Sequence, residues 1–400
     1  MLKKIIKDAA LKCGVEIKRA RPAPPEASGS VVSLRPEGAS KGTMLLSYIM
    51  EPFLLTEGEP VPNTHTHYGE SLEMAKVFLG LGYGVDSIDY RNRAFIPKKN
   101  YAVFVGARTN FARIAASLNS DCIKIVHMDT AHWLFNNAAS YRRGLELQRR
   151  RGVTVDSLRI IEFNLGIEYA DFATVLGNEF TLGTYAYAGK PLFRIDVPSC
   201  AVYPWPEEKD YDACRKNFLW LGSSGLVHKG LDLVLEAFAG MPDYHLYVCG
   251  PVTDEKHFER TFYRELYLTP NIHTVGWVNV AQARFRAVLD TCIGIVYPSC
   301  SEGQAGSVVT CMHAGVIPIV SYETGIDVED FGIILGESSV EEIRKAVAAL
   351  AGCSGSELGS RARATWEYAR THCTTERYAR SYRQIVERIM GGHRSSAGER

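Results

Sequence analysis

The chain carries no surplus charge of either sign. Over 400 residues, 45 Lys and Arg face 45 Asp and Glu, so no overall field draws it to nucleic acid and any anion site must be local. No run approaches about 20 consecutive apolar residues, which excludes a membrane-spanning helix. The ten cysteines contain no C-x-x-C pair, and several fall inside apparent strands. That argues against a zinc site or a disulfide framework and for small buried hydrophobes in a reducing cytosol. A nicotinamide-binding fingerprint is also missing: Gly80-Leu81-Gly82-Tyr83-Gly84 follows a helix and precedes a strand, the reverse of what pyrophosphate binding requires.

What remains is ample apolar material, 46% of residues, enough for two ordinary cores. Residues 1–40 read as a short amphipathic helix, with Leu2, Ile5, Ile6, Ala9 and Cys13 opposite Lys3, Lys4 and Lys7, followed by a proline-rich flexible linker. Residues 1–19 are therefore expected to give at most weak, salt-sensitive contact with an anionic membrane face. From Met44 onward, short buried strands alternate with helices: 44–50, 84–90, 101–106 and 122–127 as strands, 70–81 and 110–118 as helices. Alternation of this kind implies a parallel sheet of βαβ units. A second series starts at Asn217 and runs through strands at 244–249, 271–276, 292–297 and 317–321. The proline-punctuated segment from Tyr203 to Asp210 is the expected link. The expected division is thus 41–205, 206–375 and a terminal helix in 376–400 with Tyr378, Tyr382, Ile385, Val386 and Ile389 on one face.

The most informative stretch is Ser301 to Pro318. The apolar run Cys292 to Tyr297 ends at Pro298, and Glu302-Gly303-Gln304-Ala305-Gly306-Ser307 then opens a helix. N–H groups of a first helical turn favour a phosphate, and Glu302 is an acceptor for hydroxyl donors. A sugar next to a diphosphate would satisfy both; a surface carboxylate that merely complements the helix dipole is the other reading. A second signal is Gly222-Ser223-Ser224-Gly225-Leu226-Val227-His228-Lys229-Gly230, in which a strand ends in a glycine turn and a lysine stands ahead of a helix. There, N–H groups and an ammonium converge on one anion.

These segments resemble the donor site of the retaining glycosyltransferases of family 4, which have the GT-B fold. Glu302, Gly303, Met312, Gly315 and Pro318 fall where that signature wants them, Pro318 one place late, while Thr310 holds the position of a second Glu. The resemblance implies an α/β fold of two Rossmann-like domains across a cleft, with the last helix crossing back to the first domain. It implies that Glu302 contacts donor-sugar hydroxyls, that Thr310 stands in for a ribose contact, and that Lys229 with the Gly222 turn neutralises the donor diphosphate. Ser223 and Ser224 occupy the place where the family usually supplies an arginine. A basic residue from the other domain, or hydroxyls, would then assist Lys229.

In the first half, Thr64-His65-Thr66-His67-Tyr68-Gly69-Glu70-Ser71 follows the first strand, and Gly69, Glu70 and Ser71 are expected to open a helix and meet the acceptor. Two histidines alone, without a third ligand at suitable spacing, do not make a metal site. His127 and Asp129 end a strand facing the cleft. His127 is expected to bond the donor sugar and Asp129 to orient or deprotonate the acceptor hydroxyl, with a satisfied polar cluster as the alternative. Asp210-Tyr211-Asp212 reads as solvated linker, and Arg142-Arg143 with Arg149-Arg150-Arg151 as an exposed helix face that an anionic acceptor or lipid headgroup would suit.

The functional expectation is metal-independent transfer of a hexose-type sugar, with no cofactor beyond the nucleotide-sugar co-substrate, to a glycan or lipid-linked acceptor at the cytoplasmic membrane face. The alternative is a non-catalytic GT-B protein, favoured by Ser223, Thr310 and the single glycine at Gly69.

Overall fold

The computed structural model describes residues 31–56 and 58–397; the amphipathic segment 1–19 lies outside them. The first sheet has seven strands in the order β1-β3-β2-β4-β5-β6-β7. These are β1 (Val32–Leu34), β2 (Thr43–Tyr48), β3 (Gly84–Asp89), β4 (Val103–Ala107), β5 (Ile123–Met128), β6 (Phe172–Leu176) and β7 (Leu192–Ile195). All neighbours pair in parallel except β1, which runs antiparallel to β3 with Val32 opposite Ser87. Strand β1 corrects the expectation of a linker up to residue 40. The Val32-Ser33-Leu34 alternation is too short to mark a strand by itself, and pairing with β3 organises it.

Strand β2 is buried on both faces. Met44, Leu46 and Tyr48 point into a core that continues into the second domain, and Leu45 into a separate core with Ile88, Phe104, Phe111 and Val126. A near-continuous apolar strand is what helices on both sides of a sheet demand. The helix His67–Gly80 buries His67, Glu70, Ser71, Met74, Ala75, Val77 and Phe78, which is the i, i+3, i+4, i+7 stripe of one helical face. That spacing puts Glu70 on the core side of the helix.

The second sheet is wholly parallel, in the order β10-β9-β8-β11-β12-β13. Its strands are β8 (Asn217–Leu221), β9 (His245–Cys249), β10 (Ile272–Gly276), β11 (Gly294–Tyr297), β12 (Ile317–Ser321) and β13 (Ile333–Leu335). The order reverses between β8 and β11, and loops after such a switch point form a crevice at the carboxyl edge. Between the domains, Trp205 packs against Trp366 and Asp210 caps the short helix Tyr211–Cys214. The last helix, Thr375–Ala397, buries Tyr378, Tyr382, Val386 and Ile389. Tyr382 meets Phe78 edge-on at 6.5 Å, so this helix returns to the first domain as expected. The architecture is GT-B.

Candidate active site

Both loops singled out in the second half leave the sheet at the switch point. Strand β8 ends at Leu221 and β11 at Tyr297, which brings Lys229 and Glu302 together. Lys229 Nζ lies 2.8 Å from Glu302 Oε1, and both residues are buried. Tyr297 Oη at 3.1 Å and Ser299 Oγ at 3.2 Å also donate to Oε1, while Arg159 Nη1 donates to Oε2 at 2.9 Å. Burial by itself would push the Glu302 carboxyl up, but the charges of Lys229 and Arg159 override it and hold the group below the usual carboxylate range. Burial pulls the Lys229 ammonium down, partly offset by Glu302. Two cations against one carboxylate leave an excess positive charge beside Glu302.

The other predicted donor residues divide. Gly222 packs on the Trp220 ring, where a Cβ would come within 2.4 Å. Ser223 and Ser224 are exposed at the tip of the loop. The N–H groups of Gly225 and Leu226 are taken by the Glu255 carboxylate, the latter at 3.2 Å. Ala305 donates its N–H to Thr324 O at 3.0 Å and caps the helix Gly306–Met312. Gly306 faces Thr66 of the first domain, and Ser307 is half-buried in the first turn. For Gln304 the expectation concerned the main-chain N–H, and the side chain is engaged elsewhere. Its Oε1 accepts from Val197 N and its Nε2 donates to Asp196 at 3.1 Å, which commits it to the interdomain segment. Thr310 is buried one turn further on, where its hydroxyl donates to Gly306 O at 2.8 Å.

In the first domain the expected acceptor residues turn inward. Glu70 is fully buried and accepts from Tyr48 Oη at 2.9 Å; His67 Nδ1 and His127 Nε2 stand at 3.2 and 3.3 Å from its Oε2. Burial would raise its carboxyl, but the His67 charge and the hydrogen bonds of His127 and His67 drive it well down. His127 spends its other nitrogen on Thr174 Oγ1 at 2.8 Å, and Ser71 donates to Ile49 O at 2.7 Å. Glu70, Ser71 and His127 therefore form a structural network behind the crevice, because helix periodicity and the strand interior place them on buried faces. Gly69 is half-buried, and nothing would obstruct a Cβ there.

Asp129 lies nearer the seam. Arg108 reaches its Oδ2 through Nε at 2.9 Å and Nη2 at 2.7 Å, and His67 Nε2 stands at 3.2 Å. Although burial would raise the Asp129 carboxyl, Arg108 and the two histidines bring it down to about 2. Arg108 has φ +62°, a backbone region costly for a residue with a Cβ. Its guanidinium also donates to Tyr90 Oη at 3.0 Å, and this network holds the strained residue in place.

The two halves meet tightly around Gly303. A Cβ on Gly303 would stand 2.6 Å from Asp129 O, and Ala131 donates its N–H to Glu302 O at 3.2 Å. The helix Trp133–Arg151 lies along the seam, which corrects the reading of its arginines as an exposed face. Arg143 is buried and donates to Pro298 O at 3.0 Å. Arg150 pairs with Asp232 and Glu236, and Arg151 with Glu236 and Glu265. Arg142, Arg149 and Arg150 are still exposed, Arg150 while paired across the seam. Sequence reasoning missed Arg108 and Arg159. Arg108 had the signal of a charge directly after a strand; Arg159 lies in an aperiodic stretch with none.

Among the described residues no cluster of three His, Cys, Asp or Glu side chains is placed to hold a metal ion, and no helix is long and apolar enough to cross a membrane.

Residues 215–352, most of the second domain, match the family model described as glycosyl transferases group 1. Among solved structures, the chain is similar to TarM with a TM-score of 0.51 at 13% identity, over 73% of this chain and 54% of TarM. The chain thus spans about half of TarM's length. Anabaena HepE, solved with UDP and glucose, gives a TM-score of 0.56 at 11% identity, over 87% of this chain and 99% of HepE. WaaG, a glycosyltransferase involved in lipopolysaccharide biosynthesis, gives 0.53 at 13% identity, over 87% of this chain and all of WaaG (100%). No curated protein sequence matches the chain.

Proposed function

We propose that this GT-B protein transfers a hexose-type sugar from a nucleotide-diphosphate sugar to an acceptor hydroxyl, with retention of configuration and without a metal. The observation that carries the reading is the buried Lys229–Glu302 pair at 2.8 Å, located at the switch point and inside the segment matching group 1 glycosyl transferases. Fixed positive charge at a departing diphosphate lowers the barrier most, since that is where negative charge develops. The bond from the anomeric carbon to the diphosphate oxygen breaks as the bond to the acceptor oxygen forms. The acceptor proton passes to the departing diphosphate oxygen, with Asp129 across the seam orienting the hydroxyl. Retention rests on the family resemblance, and with no covalent nucleophile in this scheme a retained configuration requires attack on the same face. Contact at the seam excludes water, whose attack is the competing reaction. A glycan or lipid-linked acceptor in cell-surface polysaccharide assembly at the cytoplasmic membrane face fits the class, as WaaG's role in lipopolysaccharide biosynthesis illustrates for that protein.

The test is thermal stabilisation by UDP-, GDP-, ADP- and dTDP-sugars, with Lys229→Ala alongside. A ligand at 100 times its Kd adds about 2.7 kcal/mol, and the shift should vanish in the variant. Product anomers read by NMR, and turnover that persists in a chelator, check retention and metal independence. A non-catalytic sugar-binding protein is the second reading, favoured by the Glu255 carboxylate on the loop N–H groups and by the internal bond of Thr310. Stabilisation by a donor with neither transfer nor hydrolysis would establish it.

A further inference from the structure

The loop that should hold the donor diphosphate is short of positive charge. From Gly222 to Gly230 its only Lys or Arg is Lys229. The two N–H groups of Gly225 and Leu226 already serve the Glu255 carboxylate, whose negative charge further weakens the field there. A diphosphate bears at least two charges, so one lysine leaves much of the leaving group uncompensated.

Arg159 comes from the opposite domain to this same place. Its Cβ and Cδ lie 3.1 and 3.3 Å from where a Cβ on Gly225 would stand, and Gly225 has φ +87°. Only glycine lets the loop adopt that conformation beneath the arginine. The Arg159 main chain is anchored, its carbonyl accepting from Ser140 Oγ at 2.8 Å and Asn136 Nδ2 at 3.3 Å. Its side chain is 34% exposed, and among the described residues only Nη1 is bonded to protein, at Glu302. A guanidinium presents several donors in a planar fork suited to phosphate. Here that fork stands beside the lysine expected to take the diphosphate, with Nε and Nη2 unspent.

We propose that Arg159 is the second cation of the donor diphosphate site, supplied by the amino-terminal domain in place of an arginine on the Gly222 loop. This inference rests on the donor reading above. Closure then completes the charge on the leaving group, so a donor held by the second domain alone meets only Lys229. The bond to the anomeric carbon breaks readily only when both domains are in contact. The arrangement couples reaction to closure and protects the donor from water in the open form.

Calorimetry tests this with paired probes, UDP against uridine, GDP against guanosine, ADP against adenosine and dTDP against thymidine, on the wild type, Arg159→Ala, Arg159→Lys, Ser223→Arg and the double variant Arg159→Ala with Ser223→Arg. For the nucleotide that binds, Arg159→Ala should weaken the diphosphate by about 10-fold or more, the scale of one charge-assisted contact, and leave the nucleoside unchanged. Arg159→Lys should lose less, and Ser223→Arg should recover diphosphate affinity in the Arg159→Ala background. Unchanged diphosphate affinity in Arg159→Ala, or equal loss of diphosphate and nucleoside, overturns the proposal while leaving the donor site standing. Should Arg159→Ala not fold, the same ratio in Arg159→Lys decides, an unaltered ratio counting against it. Wild type that binds none of the diphosphates overturns the donor reading itself and this inference with it.

Discussion

At the scale of single residues, the site is organised by carboxylates held ionised in buried places. Glu302 accepts from Lys229, Arg159, Tyr297 and Ser299. Glu302→Gln preserves its shape but leaves two cations facing each other, and removing one partner from a buried pair costs about 3–5 kcal/mol. Urea denaturation should show that loss, and adding Lys229→Met should return part of it, because the second change removes the orphaned charge. Asp129 gives a prediction in pH. Its carboxyl falls from 3.8 to about 2 in the folded protein, so the unfolded chain binds the proton more readily. The resulting stabilisation is complete above about pH 4 and drains away as the pH falls toward 2, about 2 kcal/mol in all. Asp129→Asn should therefore show lower stability at neutral pH and a shallower acid limb than the wild type.

Among the elements, the loop from Ser301 to Gly303 is the one both domains share. A Cβ on Gly303 would press on main-chain atoms of Asp129 and Thr130, which cannot rotate away as a side chain does. Gly303→Ala should thus force the seam apart at a cost of about 1–3 kcal/mol, and transfer should fall far more than nucleotide binding, as a comparison of turnover with calorimetry would show. The elements themselves were largely legible: β2, β4, β8, β11 and β12 are short apolar runs, and Lys229 and Glu302 stand in the loops that follow two of them. What failed to show is whatever depends on which side of an element faces what. Glu70 lies in the first turn of a helix and His127 near the end of a strand, places where substrate ligands often sit, yet helix and strand periodicity turn both into the interior. Arg143 and Arg159 gain their meaning from contacts with the second domain, at Pro298 and Glu302. Strand β1 is too short to mark itself and exists through its pairing with β3.

For the whole molecule, the open question of physics is what holds the domains in contact. Arg150 and Arg151 bridge to Asp232, Glu236 and Glu265, and Arg194 to Asp327. The arginines of the first group are about a quarter exposed, 27% each, so each pair contributes on the order of 1 kcal/mol and is screened by salt. Asp232 differs because it is fully buried, and burial raises its carboxyl against the pull of Arg143 and Arg150. Take Arg150 away and the closed form must either keep an ill-compensated carboxylate or bind a proton there, whereas opening exposes Asp232 to water, where it ionises freely. Closure of an Arg150→Ala, Arg151→Ala variant is then linked to proton uptake. By small-angle X-ray scattering that variant should expand as the pH rises above the ordinary carboxylate range, the ionised state favouring the open form, and more steeply than the wild type, in which Arg150 still offsets the charge. Expansion of the variant independent of pH would assign the contact to the arginines alone and remove Asp232 from the linkage.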